Sequence, residues 1–320
     1  MKLGIIGSGK IVHDFLTIAN QVPGLEIGAL ATTARSWSVA QELQEKYQIP
    51  HIYRDNAELL ADATVDTIYV AVPNSLHYEL SKAAILAGKH VICEKPLVYR
   101  AQEARALKQL ADERRVYLIE AITNLYLENY QALKAKLATL GPVRLVSLNY
   151  TQLSSRYAAF KAGRILPVFD PKKGGGALMD LGIYNLHLAV DLLGAPAQAT
   201  YYPNLQRGTD TSGVAILHYP TTVAVLVAAK DAYADTQSYL ETEKGTIIIN
   251  GKLNEITSFS VQYPDGQVET HNFNQTNHRM IPEFSQFVQW FDNHQTANIN
   301  AQFDHSVETL EVLEKLRPSD

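Results

Sequence analysis

The stretch "LGIIGSGKIVHDF", residues 3–15, decides how the chain is read. Leu3-Gly4-Ile5-Ile6 is an apolar run with no polar face, as a strand inside a parallel sheet must be. Gly7-Ser8-Gly9 then turns the chain, and a helix pattern begins at Lys10. Glycines between a first strand and a first helix permit a tight turn and let backbone N–H groups approach a pyrophosphate. Gly7, Ser8, Gly9, Lys10 and Ile11 are therefore candidate cofactor residues. Val12 stands where the third glycine of G-x-G-x-x-G would be, so an ordinary strand-to-helix turn competes. Its place at the head of an alternating fold favours the cofactor.

Outward from that turn, short apolar runs near 2–6, 25–31, 67–72, 90–94 and 116–120 alternate with helix-period stretches near 10–20, 36–47, 75–87 and 100–114. The alternation predicts an α/β fold opening with a doubly wound parallel sheet, a Rossmann domain over residues 1–121. Past about residue 122 the rhythm changes. A helical stretch runs to about 140, a strand follows at 143–150, a polar loop at 151–173 and a helix at about 175–193. Residues 197–270 hold successive β-rich runs such as "GVAILHY" and "TVAVLVAA" with no helices between them, and helices near 279–295 and 304–316 close the chain. Residues 122–320 are thus expected to form an α+β domain with a mostly antiparallel open sheet.

The composition excludes several classes. At 320 residues, 46% apolar and 19% charged, the chain resembles an ordinary globular protein of two domains. A formal net charge of −5 without a basic run argues against nucleic acid. No stretch approaches a membrane span, and Met1-Lys2-Leu3 enters a strand directly instead of a signal-peptide pattern. Cys93 is the only cysteine, and the ten histidines show no close ligand triad, so neither a disulfide nor a metal site is expected. A cytoplasmic protein acting on a small molecule is the expectation.

The end of the second strand bears on the choice of cofactor. NAD-specific folds carry an acidic residue there for the ribose hydroxyl, whereas an arginine accommodates a 2′-phosphate. Here the strand ends "ALATTARS", without a carboxylate, and Thr33 and Arg35 suit a phosphate. NADP is favoured over NAD. "TIYVAVPNSLHYEL" ends a further strand at Val72-Pro73-Asn74, a stiff polar lip that can pass beneath a nicotinamide. His77 in the next helix is read equally as a cofactor neighbour or a partly buried helix residue. "HVICEKPLVY", residues 90–99, ends an apolar strand in Glu94-Lys95-Pro96, charges at the sheet edge where open α/β sheets bind ligands.

In "GGGALMDLGIYNLHLAVDLLG", Asp180, Tyr184, His187 and Asp191 are spaced by four, three and four, which puts them on one helix face. That face meets water or a polar cleft; a solvated face is the better reading for Asp191 and equal for His187. The loop 151–173 carries Arg156, Tyr157, Lys161 and Arg164, candidates to select substrate, each alternatively a solvated loop residue.

Taken in order, Gly7-Ser8-Gly9, "VAVPNSLHYE", Glu94-Lys95-Pro96 and "GGGALMDLGIY" resemble the Gfo/Idh/MocA oxidoreductases over the whole chain. The resemblance implies that Lys95 projects to the substrate next to the nicotinamide, with Glu94 near the nicotinamide ribose. Many members have His at the position of Tyr184; tyrosine there looks like the branch of dimeric dihydrodiol dehydrogenases and NADP-dependent D-xylose dehydrogenases. Asn185 replaces that branch's usual Pro, and "EAITNLYLENY" lacks its usual Trp and Arg. The implied reaction moves a hydride between the nicotinamide and a hydroxyl or carbonyl carbon of a sugar or polyol; a trans-dihydrodiol or dicarbonyl oxidoreductase is the alternative. A non-catalytic NADP sensor or scaffold is the rival of another class, disfavoured because Lys95, Asp180 and Tyr184 are all present. Proton transfer needs a base, either Tyr184, its phenolate favoured by an ammonium such as Lys95, or Lys95 itself. Asp180 would orient one of them, and His187 would bond a sugar hydroxyl or relay the proton. Apolar alternation over 197–250 together with the resemblance predicts a homodimer or higher homo-oligomer.

Overall fold

The computed structural model describes residues 1–317, packed as two compact units. The first is built on six parallel strands, β1 (Lys2–Ile6), β2 (Glu26–Ala31), β3 (His51–Tyr53), β4 (Thr67–Val70), β5 (His90–Glu94) and β6 (Leu118–Ala121), in the spatial order 3-2-1-4-5-6. Leu3, Ile5, Ile6, Ile68, Tyr69, Val91 and Ile92 are buried on both faces of the sheet. Helices α1 (Lys10–Leu16), α2 (Trp37–Tyr47), α3 (Asn56–Ala61), α4 (His77–Leu86) and α5 (Ala101–Arg114) connect the strands. Strand order reverses between β1 and β4, the crevice where such sheets bind ligands beyond their carboxyl ends. The alternation did not show β3 or α3. β3 is a three-residue edge strand with no buried residue, too short to show a period.

The second unit holds β7 (Val143–Thr151), β8 (Gln198–Gln206), β9 (Thr209–His218), β10 (Val223–Ala229), β11 (Gln237–Thr242), β12 (Thr246–Asn250), β13 (Ser258–Gln262) and β14 (Val268–His271). They form one sheet in the order 14-13-12-11-7-10-9-8, antiparallel except where β10 runs parallel to β7, Val223 opposite Leu145 through Ala229 opposite Thr151. In "VAVLVAA" Ala224, Leu226 and Ala228 are buried while Val223, Val225 and Val227 are half-exposed. The same alternation runs across the sheet, so one face meets the core and the other, with Ile216, Tyr239 and Ile248, stays open. Helices α6 (Glu128–Leu137), α7 (Tyr157–Lys161) and α8 (Ile183–Leu193) belong to this unit. The expected loop 151–173 therefore contains α7 and two short 3-10 turns, Pro167–Phe169 and Pro171–Lys173.

Two helices follow, α9 (Met280–Asp292) and α10 (Thr296–Leu316). Residues 280–307, expected with the second domain, pack with the first unit instead. The reason is an aromatic seam: the Phe284 ring lies 4.4 Å from that of Phe15 and 5.2 Å from that of Tyr69. An apolar helix face demands a partner surface without naming it, so the sequence pattern could not assign α9.

Candidate active site

After β1 the chain enters the glycine turn. Gly7 has φ +122°, and a β-carbon on it would sit 2.2 Å from the Ala71 carbonyl oxygen, so only glycine fits where the turn crosses β4. At Gly9 a β-carbon would meet nothing within 4 Å, which leaves open space beside the backbone. Ser8 Oγ is 3.0 Å from Thr32 Oγ1, tying this turn to the end of β2. Lys10 is exposed, Ile11 half-buried and Val12 fully buried. Thr33 and Arg35 stand exposed in the turn after β2. Arg54, which follows β3, stacks its guanidinium 4.5 Å from the Trp37 ring and adds a second cation that the sequence reading did not single out. These donors and the unfilled glycine fit a dinucleotide with an added phosphate.

The turn after β5 is held from both sides. Tyr69 donates its hydroxyl to Glu94 Oε1 at 2.5 Å, and Lys95 donates its backbone N–H to Glu94 Oε2 at 3.3 Å. The Lys95–Pro96 bond is cis. Leu97 N–H donates to Glu120 Oε1 at 2.7 Å, a buried carboxylate on β6. His77 is fully buried; its Nδ1 lies 2.8 Å from the Pro96 carbonyl oxygen and its Nε2 3.0 Å from that of Val72. Burial pushes the imidazole pKa down, outweighing the two carbonyls, so the ring is neutral and donates to one of them. His77 thus joins the Val72 lip to the Lys95 turn through their backbones. Along that lip Pro73 is exposed and Val72 and Asn74 are half-buried. The Cys93 thiol is buried, and burial pushes its pKa up, leaving it unreactive.

In the second unit the glycine run leads into a π-helical turn, Leu178–Gly182, which continues as α8. Gly176 has φ +127°, and a β-carbon there would fall on the Asp210 carboxylate, which accepts from Leu178 N–H at 2.8 Å and from the Tyr201 hydroxyl at 2.8 Å. Asp180 lies within the π-turn and the other three stripe residues in α8, and burial shows that the stripe is not one solvated face. Tyr184 is 8% and His187 1% exposed, whereas Asp180 and Asp191 remain accessible. Asp191 accepts from the Tyr130 hydroxyl and from Lys134 Nζ, the latter at 2.8 Å. Asn185, where the resembling branch has Pro, donates its amide to the Val227 carbonyl at 2.8 Å; Asn124 donates to the Tyr184 carbonyl at 3.0 Å. The backbone of Tyr184 is therefore fixed from two directions.

Two residues at this end were not foreseen. Lys230, directly after β10, is 2% exposed, and its Nζ lies 2.8 Å from Asp180 Oδ2. Tyr150, near the end of β7, has its ring 5.5 Å from that of Tyr184; burial above all, then the neighbouring Tyr184, Glu255 and Asp180, push its pKa far up, so it stays protonated. Glu255 and Arg279 also line a cavity of about 310 Å³ with Glu128, Thr257, Asn272 and His278, and Glu128 contributes a buried carboxylate oxygen, Oε2. Tyr157 donates its hydroxyl to Gln206 Oε1 at 3.1 Å and stacks on Phe160; Arg156 is half-exposed, and Lys161 and Arg164 are exposed. Among the described residues no cluster of His, Cys, Asp and Glu could hold a metal ion, and no helix is long and apolar enough to cross a membrane.

Comparison with known proteins agrees with this architecture. Residues 1–121 match the model of the oxidoreductase family, NAD-binding Rossmann fold, and residues 130–248 that of the GFO/IDH/MocA C-terminal domain. The chain is 32% identical over 319 residues to scyllo-inositol 2-dehydrogenase (NADP(+)) IolU of Bacillus subtilis, covering 99% of this chain and 96% of that one. It is 30% identical over 225 residues, 69% of this chain and 65% of the other, to trans-1,2-dihydrobenzene-1,2-diol dehydrogenase of Mus musculus. In fold it is similar to KijD10, a 3-ketoreductase from Actinomadura kijaniata in complex with NADP and TDP-benzene, with a TM-score of 0.85 at 22% identity, covering 99% of this chain and 97% of that one.

Proposed function

This chain belongs to the GFO/IDH/MocA oxidoreductase family, and from that premise we propose that it moves a hydride between NADP and a hydroxyl-bearing or carbonyl carbon of a cyclic polyol or sugar. The observation that carries the polyol reading is the cavity lined by Glu128, Glu255, Thr257, Asn272, His278 and Arg279, which belongs to the same unit as Tyr184 although neither Tyr184 nor Asp180 lines it. Carboxylates, amides and a guanidinium recognise many hydroxyls, whereas a dihydrodiol ring calls for an apolar wall. The full-length relative named for scyllo-inositol and NADP supports the same class.

The bound nicotinamide supplies the hydride acceptor or donor. Gly7, Ser8, Gly9, Lys10 and Ile11 would hold the pyrophosphate, Thr33 and Arg35 the 2′-phosphate, and Val72, Pro73, Asn74 and Glu94 the nicotinamide end. Tyr184 or Lys95 is the group that exchanges the hydroxyl proton. Asp180 orients that exchange, and His187, buried on α8, supports Tyr184 from within its helix. His77 acts on the lip and the lysine turn instead of on the cofactor directly. Arg156 and Tyr157 are the substrate-selecting candidates of the loop after β7.

We further propose a homo-oligomer joined through the open face of the eight-stranded sheet, where Ile216, Val225, Tyr239 and Ile248 stand half-exposed, and a cytoplasmic setting, which suits a chain with a single buried thiol. The test is a screen of inositols, aldoses, linear polyols and a trans-dihydrodiol with NADP and NAD, read as absorbance of the reduced nicotinamide. Turnover of an inositol or sugar with NADP is expected. Turnover confined to the dihydrodiol moves the chain to the alternative substrate class, and tight NADP binding with no turnover at all moves it to a sensor.

A further inference from the structure

We propose that Lys230 is a positioning residue of this reaction, its buried ammonium holding the Asp180 carboxylate ionised and in one orientation on the turn that leads into Tyr184. The inference rests on the oxidoreductase reading above and adds a residue that neither the motifs nor the resemblance assigns.

Lysine is almost never fully buried unless paired. Here Nζ lies 2.8 Å from Asp180 Oδ2, donates to the Val168 carbonyl oxygen at 2.5 Å and sits 4.6 Å from the centroid of the Phe169 ring. The ammonium is thus held between the Pro167–Phe169 turn and the Asp180 carboxylate. The partners differ in access: Lys230 is 2% exposed, Asp180 34%. For stability alone, a well-packed apolar side chain would serve this buried position as well as an ion pair. The lysine satisfies the Val168 carbonyl and at the same time keeps the accessible carboxylate charged and aimed. The π-helical geometry points the same way, since such turns are frequent at functional sites and Asp180 lies inside one.

The surrounding charges make Lys230 the local balance. Asp210 on β9 is pushed toward protonation by burial, while Leu178 N–H, the Tyr201 hydroxyl on β8 and Lys230 itself oppose that. Asp231 accepts from the Thr211 and Ser212 hydroxyls and the Gln206 amide. Tyr150 on β7 and Tyr184 on α8 flank the pair, with Glu255 and Arg279 acting on Tyr150. Two carboxylates, Asp180 and Asp210, thus interact with this lysine. Removing the ammonium takes away the cation 2.8 Å from Asp180 Oδ2, so the neutral form of the carboxyl is favoured and it protonates at higher pH than in the wild type.

The test compares Lys230→Met, Lys230→Arg, Asp180→Asn and the Lys230→Met/Asp180→Asn double variant in the full chain. Lys230→Met should lower kcat by about a hundredfold, leave the NADP dissociation constant unchanged by calorimetry and move the acid limb of the kcat profile to higher pH. Lys230→Arg, which keeps the charge, should return that limb to its wild-type position. In the double variant the loss should equal that of Asp180→Asn alone, because Lys230 acts through Asp180. A folded Lys230→Met with a wild-type profile, or losses that add in the double variant, overturns the proposal. Should Lys230→Met not fold, Lys230→Gln, which still donates to Val168, carries the same expectation. If no substrate turns over, the oxidoreductase reading fails separately. The pair is then read by carbon NMR of the Asp180 carboxyl: a titration midpoint that rises in the lysine variant supports the inference, and an unchanged midpoint overturns it.

Discussion

Arg35 stands exposed in the turn that follows β2, two residues beyond Thr33, with no carboxylate at that strand end. Arg35→Ala should weaken NADP about tenfold to a hundredfold, the worth of charged hydrogen bonds to a phosphate, and leave NAD binding nearly unchanged. Calorimetry with both cofactors decides it, and equal losses would remove Arg35 from the phosphate site. At Tyr184 the expectation is kinetic: Tyr184→Phe should cut turnover by orders of magnitude with NADP affinity intact, and the limb along which oxidation rises with pH should vanish. Near-normal turnover with an unchanged limb would leave Lys95 as the base. These residues were legible because each sits beside a glycine motif or ends a named strand. Lys230 had the same local signature as Lys95, an apolar run closed by a lysine in "VLVAAK" as in "HVICEK". No motif accompanied it, and its partner Asp180 lies fifty positions earlier, a pairing that only the packing of the π-helical turn on β10 reveals.

At the scale of elements, α4 and the turn after β5 are fastened by one buried imidazole. His77→Leu should cost about 2 kcal/mol, since it leaves the Pro96 or the Val72 carbonyl without its donor. The pH dependence has a definite sign. Because burial lowers the folded-state pKa, the unfolded chain takes up a proton first as pH falls. Stability is therefore full above about 6.5, the ordinary imidazole value, and declines as pH drops through it toward the lower folded value. Denaturant melts of wild type and His77→Gln between neutral and acid pH should show this decline in the wild type and its reduction in the variant; parallel curves would mean the ring is already charged. The helix near 175–193 shows where periodicity stops being informative. Its spacing placed Asp180, Tyr184, His187 and Asp191 on one face; of these only Asp180 lies in the π-helical turn, which changes the angle per residue and which nothing in the apolar pattern marks.

For the whole molecule, the open sheet face predicts association. Light scattering at micromolar concentration should give a multiple of 35.5 kDa, and Val225→Lys, a charge in the middle of that face, should shift the protein toward the monomer. A wild-type monomer would show that the face stays wet. The alternating first half and the β-rich second half were readable from periods of 3.6 and 2, whereas the return of α9 was not, because the Phe15, Tyr69 and Phe284 rings come together from distant parts of the sequence. That return bears on how the protein is made. When the ribosome has released Ala121, the first sheet is complete in strands, yet the side of Phe15 and Tyr69 that Phe284 will cover is bare. At roughly 5–20 residues per second, the synthesis of Ile122–Arg279 keeps it bare for on the order of ten seconds. A nascent chain with an uncapped aromatic seam for that long is a natural client for a chaperone. Silent codon changes that slow translation between 122 and 279 would lengthen the exposure without altering a single residue.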